Sequence, residues 1–344
     1  MNMSAIKESQ SLAGYRAVRE GGAGIIDLTS RGRIRVEGSE AVMFLNGLIT
    51  NDMKTLEVNQ WMSAAFPNVQ GRLIAAVRVI RLADRDEKTR VFIIDTEQAT
   101  HQAVFKTIER FTMAGDFKVA DITDTTRMLT IQGSKAMQVA KGIVPEEVPR
   151  NGAVMIEWNS RALVALRASH TGEEGIDLII DEADYEHAIS KLEQAGAVLV
   201  SSDKVETLRI EAGVGSFGKD MDETNVITEA NLDEAVSFTK GCYIGQEIIA
   251  RIKYRGHVAK KLTGLTLESK EAVAIGDTVK TVDGKEIGRV TSTTFSPALD
   301  RTIALGYVRY EYLAPGTEVV VGEAGFKAQV TELPFVRGSW YEVG

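Results

Sequence analysis

The one thiol of the chain, Cys242, lies in the run Lys240-Gly241-Cys242-Tyr243-Ile244-Gly245-Gln246-Glu247. Downstream, Ile244, Ile248 and Ile252 recur at helical spacing, Ile249 widens the stripe, and Glu247 with Arg251 forms an i,i+4 pair. The spacing predicts a tight turn feeding a short helix, with Cys242 near its amino end. Free backbone N–H groups at such an end favour a thiolate. The bland alternative is a small buried hydrophobe, with Gln246 and Glu247 a polar helix start. Charge is unevenly placed around the motif. Lys240 to Lys261 holds six basic residues and one acid, whereas Glu211 to Glu234 holds seven acids and one lysine. These blocks either neutralise each other across a domain contact or form a cleft whose basic wall faces an anionic ligand.

The elements that must position this motif are bounded by length and composition. A chain of 344 residues exceeds one ordinary core and suggests two or three domains. A formal charge of -8 argues against a bulk electrostatic grip on duplex nucleic acid, and stable direct nucleic-acid binding is not expected. One cysteine and four scattered histidines, among them His101, His170 and His187, speak against a self-contained metal or iron–sulfur site. No membrane-length apolar run and no leading signal pattern are apparent, so a cytoplasmic, reduced setting without a membrane partner is expected.

In chain order, residues 1 to about 20 read as a helical arm ended by Gly21-Gly22-Ala23-Gly24. Arg33–Glu37 alternates as a strand, and a helix carries Ala41, Phe44, Leu45 and Leu48. Trp61–Phe66, Leu73–Leu82 and Val91–Ile94 read as strands and Thr96–Met113 as a helix, one compact α+β unit. A second set follows: strands near Met128–Ile131, Val154–Glu157 and Leu163–Ala168, then a helix over Ala183–Gln194. Val205–Glu211 is helical and enters Gly213-Val214-Gly215-Ser216-Phe217-Gly218, which lacks the ending of a phosphate-binding loop. After about Leu262, short alternating runs separated by Asp283-Gly284 and Pro315-Gly316 predict a small β-barrel or sandwich. Arg289, Arg301, Tyr307 and Arg309 are either ligand contacts or solvated strand faces.

The octapeptide Lys240–Glu247 closely resembles the signature of the YgfZ group, folate-binding relatives of the glycine-cleavage T-protein within the GcvT-like aminomethyltransferase superfamily, whose members assist iron–sulfur proteins. Leu48-Ile49-Thr50-Asn51-Asp52, Asn68-Val69-Gln70-Gly71, Arg209-Ile210-Glu211-Ala212-Gly213 and Glu229-Ala230-Asn231-Leu232 extend the likeness over nearly the full length. The resemblance implies an α+β fold of two intertwined subdomains around a central folate channel, plus a carboxyl-terminal β-barrel. The corresponding division is 1–261, with one subdomain at roughly 53–120, and 262–344. It implies tetrahydrofolate or a one-carbon-substituted folate as cofactor. Asn68, Glu211, Arg209 and Asn231 become polar anchors, and Lys240, Tyr243, Gln246 and Arg251 further contacts, with Lys253 and Arg255 joining the basic channel mouth. Cys242 becomes a functional thiol in the assembly or repair of iron–sulfur clients, such as tRNA-modifying enzymes. In the transferase branch an aspartate follows the turn that Asn68–Gly71 resembles. Here Ala75 and Ala76 occupy that region and can neither accept a proton nor stabilise a cation. Standard aminomethyl transfer is therefore not expected, with a folate-dependent aminomethyltransferase or demethylase as the alternative.

Overall fold

A computed structural model describes residues 3–341 apart from residue 272, without the side chains of residues 3–10, 114 and 255. Helix α1 (Met3–Arg19) leads into strand β1 (Gly24–Asp27), which is set aside for a sheet completed much later. The next segment is a contiguous unit: β2 (Gly32–Gly38), α2 (Ala41–Leu48), β3 (Gln60–Pro67), β4 (Leu73–Arg81), β5 (Arg90–Thr96), α3 (His101–Glu109) and β6 (Phe117–Asp121). Its strands form an antiparallel sheet in the order β3-β4-β5-β2-β6. Period-two alternation sends Ala75, Val77 and Val79 of β4 to the face covered by Leu45 and Leu48 of α2 and Val104 and Ile108 of α3. Each such large aliphatic side chain contributes about 1.5–3 kcal/mol by leaving water.

The second unit contains β7 (Thr126–Gln132), α4 (Ala136–Ala140), β8 (Ala153–Trp158), β9 (Arg161–Arg167), β10 (Gly175–Asp181), α5 (Tyr185–Gln194) and β11 (Val198–Leu199). The sheet order is β11-β1-β7-β10-β9-β8, so β1 crosses back to fill its interior. One face packs Leu129, Ile131, Ile176 and Leu178 under Ala188 and Leu192 of α5. The opposite face meets the first sheet: Ile80, Leu82, Val91 and Ile93 pack against Met128, Val164, Leu166 and Ile179. Two helix-backed sheets thus face one another, which is the paired α+β arrangement the resemblance implied.

Helix α6 (Ser202–Glu211) packs on α1 through Leu208, Tyr15 and Val18, and α7 (Gln246–Arg255) follows a long irregular stretch. The remaining strands, β12 (Lys260–Leu267), β13 (Thr278–Thr281), β14 (Glu286–Ser296), β15 (Arg301–Arg309), β16 (Glu318–Val321) and β17 (Phe326–Thr331), close into a barrel in the order β12-β15-β14-β13-β16-β17. Leu262, Ile303, Leu305 and Tyr307 on its outer surface hold it against Ile210 of α6.

Three local expectations change. The helix expected over Thr96–Met113 is confined to His101–Glu109, because Thr96 completes β5 and the chain turns before Thr100. Strand β10 was hidden because both its faces are buried, Asp177 included, so polar and apolar residues do not alternate with exposure. In α7 the buried position is Ile249, whereas Ile248 is 37% exposed, and Glu247 and Arg251 are not ion-paired among the described residues.

Candidate functional site

A cavity of about 340 Å³ opens between the two sheets where α6 and the 214–216 loop cross their ends. Ile26, Leu28, Trp61 and Val77 give it apolar wall, Arg31, Arg78, Glu97 and Arg209 bring charge, and His170 adds an imidazole. Arg78 comes from the inner face of β4 and joins the sheets. Its Nε donates to Asp95 at 2.7 Å, its Nη1 to Asp177 at 2.6 Å, and its guanidinium lies 5.6 Å from the Trp61 ring centre. Arg31 grips the same Asp95 through two bonds of 2.7 and 2.8 Å, while His170 Nε2 sits 3.0 Å from both Asp177 oxygens.

Asp95 and Asp177 are fully buried. Burial alone would raise both carboxyl pKa values, yet Arg31 and Arg78 hold Asp95 below the ordinary range, and His170 and Arg78 do the same for Asp177. Arg78 keeps one donor, Nη2, buried without a partner. An unmet donor of this kind costs about 1–3 kcal/mol and marks a place for an acceptor. Across the cavity, Glu97 receives Ser216 Oγ and Phe217 N, each at 3.0 Å, and so fixes the glycine-rich loop.

Of the residues singled out for folate, Arg209 lines the cavity, held by Glu206 at 2.6 Å, Asp220 at 2.7 Å, Ser292 at 2.9 Å and the Val214 carbonyl. The others stand elsewhere. Glu211 is fully buried but takes no part in the lining: it receives Tyr15 Oη at 2.7 Å, Arg19 Nε at 3.0 Å and Ser296 Oγ at 2.5 Å, tying α1, α6 and β14 together. Burial and the Glu211 carboxylate push the Tyr15 phenol above its ordinary value. Asn68 closes the β3–β4 turn, its Oδ1 accepting from Gln70 N at 2.9 Å and Arg72 N at 3.0 Å. Asn231 adopts a left-handed conformation, φ 60°, and donates to the Leu262 carbonyl at 2.8 Å, a tie to the barrel.

Lys240 is buried rather than at a mouth. Its Nζ donates to the carbonyls of Asn46 (2.6 Å), Ile49 (2.9 Å) and Asn51 (2.7 Å), capping the carboxyl end of α2. Burial pulls its pKa down to about 8. The Tyr243 ring lies 5.0 Å from that ammonium, and burial pushes the Tyr243 phenol up to about 12. Cys242 is exposed between these two anchors, four residues before α7 begins at Gln246, and so stands outside the helix end proper. Gln246 is half-buried, Arg251 and Lys253 are exposed, and the Arg255 side chain lies outside the described residues. The turn before α7 docks on the β3–β4 turn: Gly245, φ 75°, leaves so little room that an added Cβ would meet the Asn68 carbonyl at 2.4 Å.

Arg78, Glu97 and His170 escaped the sequence reading as site residues. The available signal was Arg78 itself, an arginine inside the apolar run Val77–Ile80 of a strand. The pairing of His170 with Asp177 depends on β10, a strand that was not foreseen. Among the described residues no group of three or more His, Cys, Asp or Glu is placed to hold a metal, and no helix is long and apolar enough to cross a membrane.

The GCVT N-terminal domain family matches residues 6–240, and the glycine cleavage T-protein C-terminal barrel domain matches residues 260–337. The chain belongs to the glycine cleavage T-protein family. It is 30% identical over 332 residues to an aminomethyltransferase of Thermotoga neapolitana, covering 94% of this chain and 88% of that one. The identity is also 30% over 330 residues to an aminomethyltransferase of Rubrobacter xylanophilus, covering 94% and 86%. The crystal structure of glycine cleavage system aminomethyltransferase T from Bartonella henselae superposes with a TM-score of 0.85 at 24% identity, over 95% of this chain and 90% of that one. In this T-protein fold, the β4 pair divides: Ala75 is fully buried under the helices, and Ala76 is part of the cavity wall, two residues before Arg78 on the same face.

Proposed function

We propose that this member of the T-protein family binds tetrahydrofolate, or a one-carbon-substituted folate, in the central cavity and uses Cys242 to support iron–sulfur enzymes, in the manner of the YgfZ group. The observation that carries the reading is Ala76 in the cavity wall, where the transferase branch is expected to present an aspartate. A methyl group there can neither take a proton nor stabilise a developing iminium charge. The cavity's chemistry fits a pterin. Trp61, Leu28 and Val77 offer apolar surface to a flat ring, and the unpartnered Arg78 Nη2 offers a donor to its carbonyl edge. Bound folate would supply a one-carbon carrier. The chain's own residues would orient it through Arg78 and Arg209.

Cys242 belongs to the same reading. Its exposure on a loop clamped by buried Lys240 and Tyr243 presents a thiol at a fixed place, ready to ligate iron or exchange with a partner thiol. One cysteine cannot complete a cluster, so a client or assembly protein supplies the remaining ligands, with iron–sulfur tRNA-modifying enzymes as one client class.

The second reading is a folate-dependent aminomethyltransferase or demethylase, favoured by the names of the two relatives and by the Glu97 carboxylate in the cavity. Three measurements separate them: anaerobic equilibrium binding of reduced folates, aminomethyl transfer or demethylation from an amine donor, and activation of an iron–sulfur client. Folate binding without turnover, with client activation lost in Cys242→Ser, is the expected result. Turnover that disappears in Glu97→Gln and survives in Cys242→Ser would overturn it in favour of the transferase.

A further inference from the structure

Of the four barrel residues open to a ligand role, Arg289, Tyr307 and Arg309 meet in one recess of about 560 Å³ on the outer wall, and Arg301 does not join them. Lys260 and Glu286 complete its polar lining. The pairing register explains the gathering. Strand β15 lies between β12 and β14, and Tyr307 and Arg309, two positions apart, share a face. Lys260 stands opposite Arg309, and Arg289 opposite Tyr307. None of these residues lines the central cavity.

The charges in the recess are left unanswered. Like charges directly across a strand pair are destabilising, yet Lys260 faces Arg309, with Arg289 one strand further over. These three side chains make no ion pair or hydrogen bond among the described residues, and Lys260 Nζ rests 4.8 Å from the Tyr307 ring centre. Glu286 is the one carboxylate in the lining. Asp222 is held below its ordinary range by hydrogen bonds from Thr224 and then by the charges of Lys260 and Arg289, but it ion-pairs with neither. Asp220, further in, is taken by Arg209 at 2.7 Å and by Thr291 Oγ1 at 2.6 Å.

The floor adds a second, neutral signal. Tyr307 is 7% exposed, and its hydroxyl is buried without a hydrogen-bond partner. Burial, and then Glu229, Asp220 and Asp222, push this phenol above its ordinary value, so near neutral pH it keeps its proton and can donate. A buried donor without an acceptor is a cost that a ligand oxygen removes.

We propose that this recess binds a phosphate group, as the free ion or as the monoester of a small molecule, with Lys260, Arg289 and Arg309 around it and the Tyr307 hydroxyl donating from the floor. Guanidinium forks match the oxygens of a tetrahedral anion, and the ammonium supplies a point charge. A carboxylate would leave cations unanswered, whereas a phosphate dianion together with Glu286 balances all three. The site is independent of what the central cavity holds.

The test is calorimetric titration of the full chain at low ionic strength with inorganic phosphate and, separately, adenosine monophosphate, using wild type, Arg309→Gln and Tyr307→Phe. Arg309 is exposed and Tyr307→Phe keeps the ring, so both variants are expected to fold. Wild type is expected to bind at least one probe saturably, one to one. Binding of the free ion identifies inorganic phosphate as sufficient, and binding of the nucleotide alone identifies an ester. Loss of one charge-assisted contact in Arg309→Gln should weaken binding about tenfold or more, and loss of the neutral donor in Tyr307→Phe about threefold. Wild type that binds neither probe overturns the proposal. Binding unchanged in Arg309→Gln overturns it as well, because the phosphate then sits elsewhere. So does binding unchanged in Tyr307→Phe, since a merely basic surface has no use for the hydroxyl.

Discussion

The cavity floor and the Cys242 loop solve the burial of charge in opposite ways. On the floor, Arg31, Asp95, Arg78 and Asp177 alternate in sign, each charge stabilised by the next, and His170 completes the row with a ring nitrogen on Asp177. Beneath the loop, a single ammonium, Lys240, is held by three carbonyl dipoles, with no carboxylate in contact among the described residues. In the first arrangement the guanidinium groups hold both carboxyls below the ordinary range, so their ion pairs with arginine outlast a fall in pH. The second is the softer, because its one cation gives up its proton at a pKa of about 8. The difference teaches that the ligand cavity and the thiol can be separately tuned although one chain builds both.

The contrast is broken most severely at Arg78. Arg78→Met takes the guanidinium from both Asp95 and Asp177 and removes the ion pairs that join the sheets, at an expected cost of about 3–5 kcal/mol, read from denaturant unfolding. A loss below about 1 kcal/mol would mean that water already screens the floor. Next is Glu211→Gln, which weakens the tie between α1, α6 and the barrel by about 1.5–3 kcal/mol. Folate affinity of the folded fraction should stay within experimental error, and a large loss would return Glu211 to the ligand.

Lys240→Met strands three carbonyls and should cost about 1–3 kcal/mol near neutral pH, with loss of client activation as the loop loosens. Its sign with pH sharpens the comparison. The folded pKa of about 8 lies below the ordinary 10.5, so the unfolded chain holds the proton more tightly between those values. Wild-type stability relative to Lys240→Met should therefore rise from pH 8 to 10.5 and be flat below. A relative stability that falls over this window would refute the desolvated-cation description. The smallest effect on stability belongs to Cys242→Ser, within about 0.5 kcal/mol because the thiol is exposed, while client activation is lost.

The barrel was legible because its six strands alternate and end in Asp283-Gly284 and Pro315-Gly316, signals that act over a few residues. Helices α2 and α5 were legible through their one-sided apolar stripes. The site was less so, since its geometry depends on which strand faces which. Glu211 and Arg209 lie two apart on one helix, yet one ties the barrel and the other lines the cavity. Lys240 looked like a solvent-facing cation in a basic run because nothing local says that the end of α2 lies over it. The inward pairing of Arg78 with Asp177 spans 99 positions, so the apolar run around Arg78 marks the arginine but not its partner.

The path of the backbone also sets a timetable for synthesis. Residues 32–121 contain every strand of their sheet, so that unit can close as soon as it leaves the ribosome. Strand β1 precedes it but pairs with β7 and β11, and therefore waits until residue 199 has been made. Glu211 must wait still longer for Ser296. A nascent chain arrested after residue 121 has cleared the ribosome and before residue 199 has been made should accordingly hold a folded insert behind an unpaired leading segment, and a chaperone would find its client surface at the amino end.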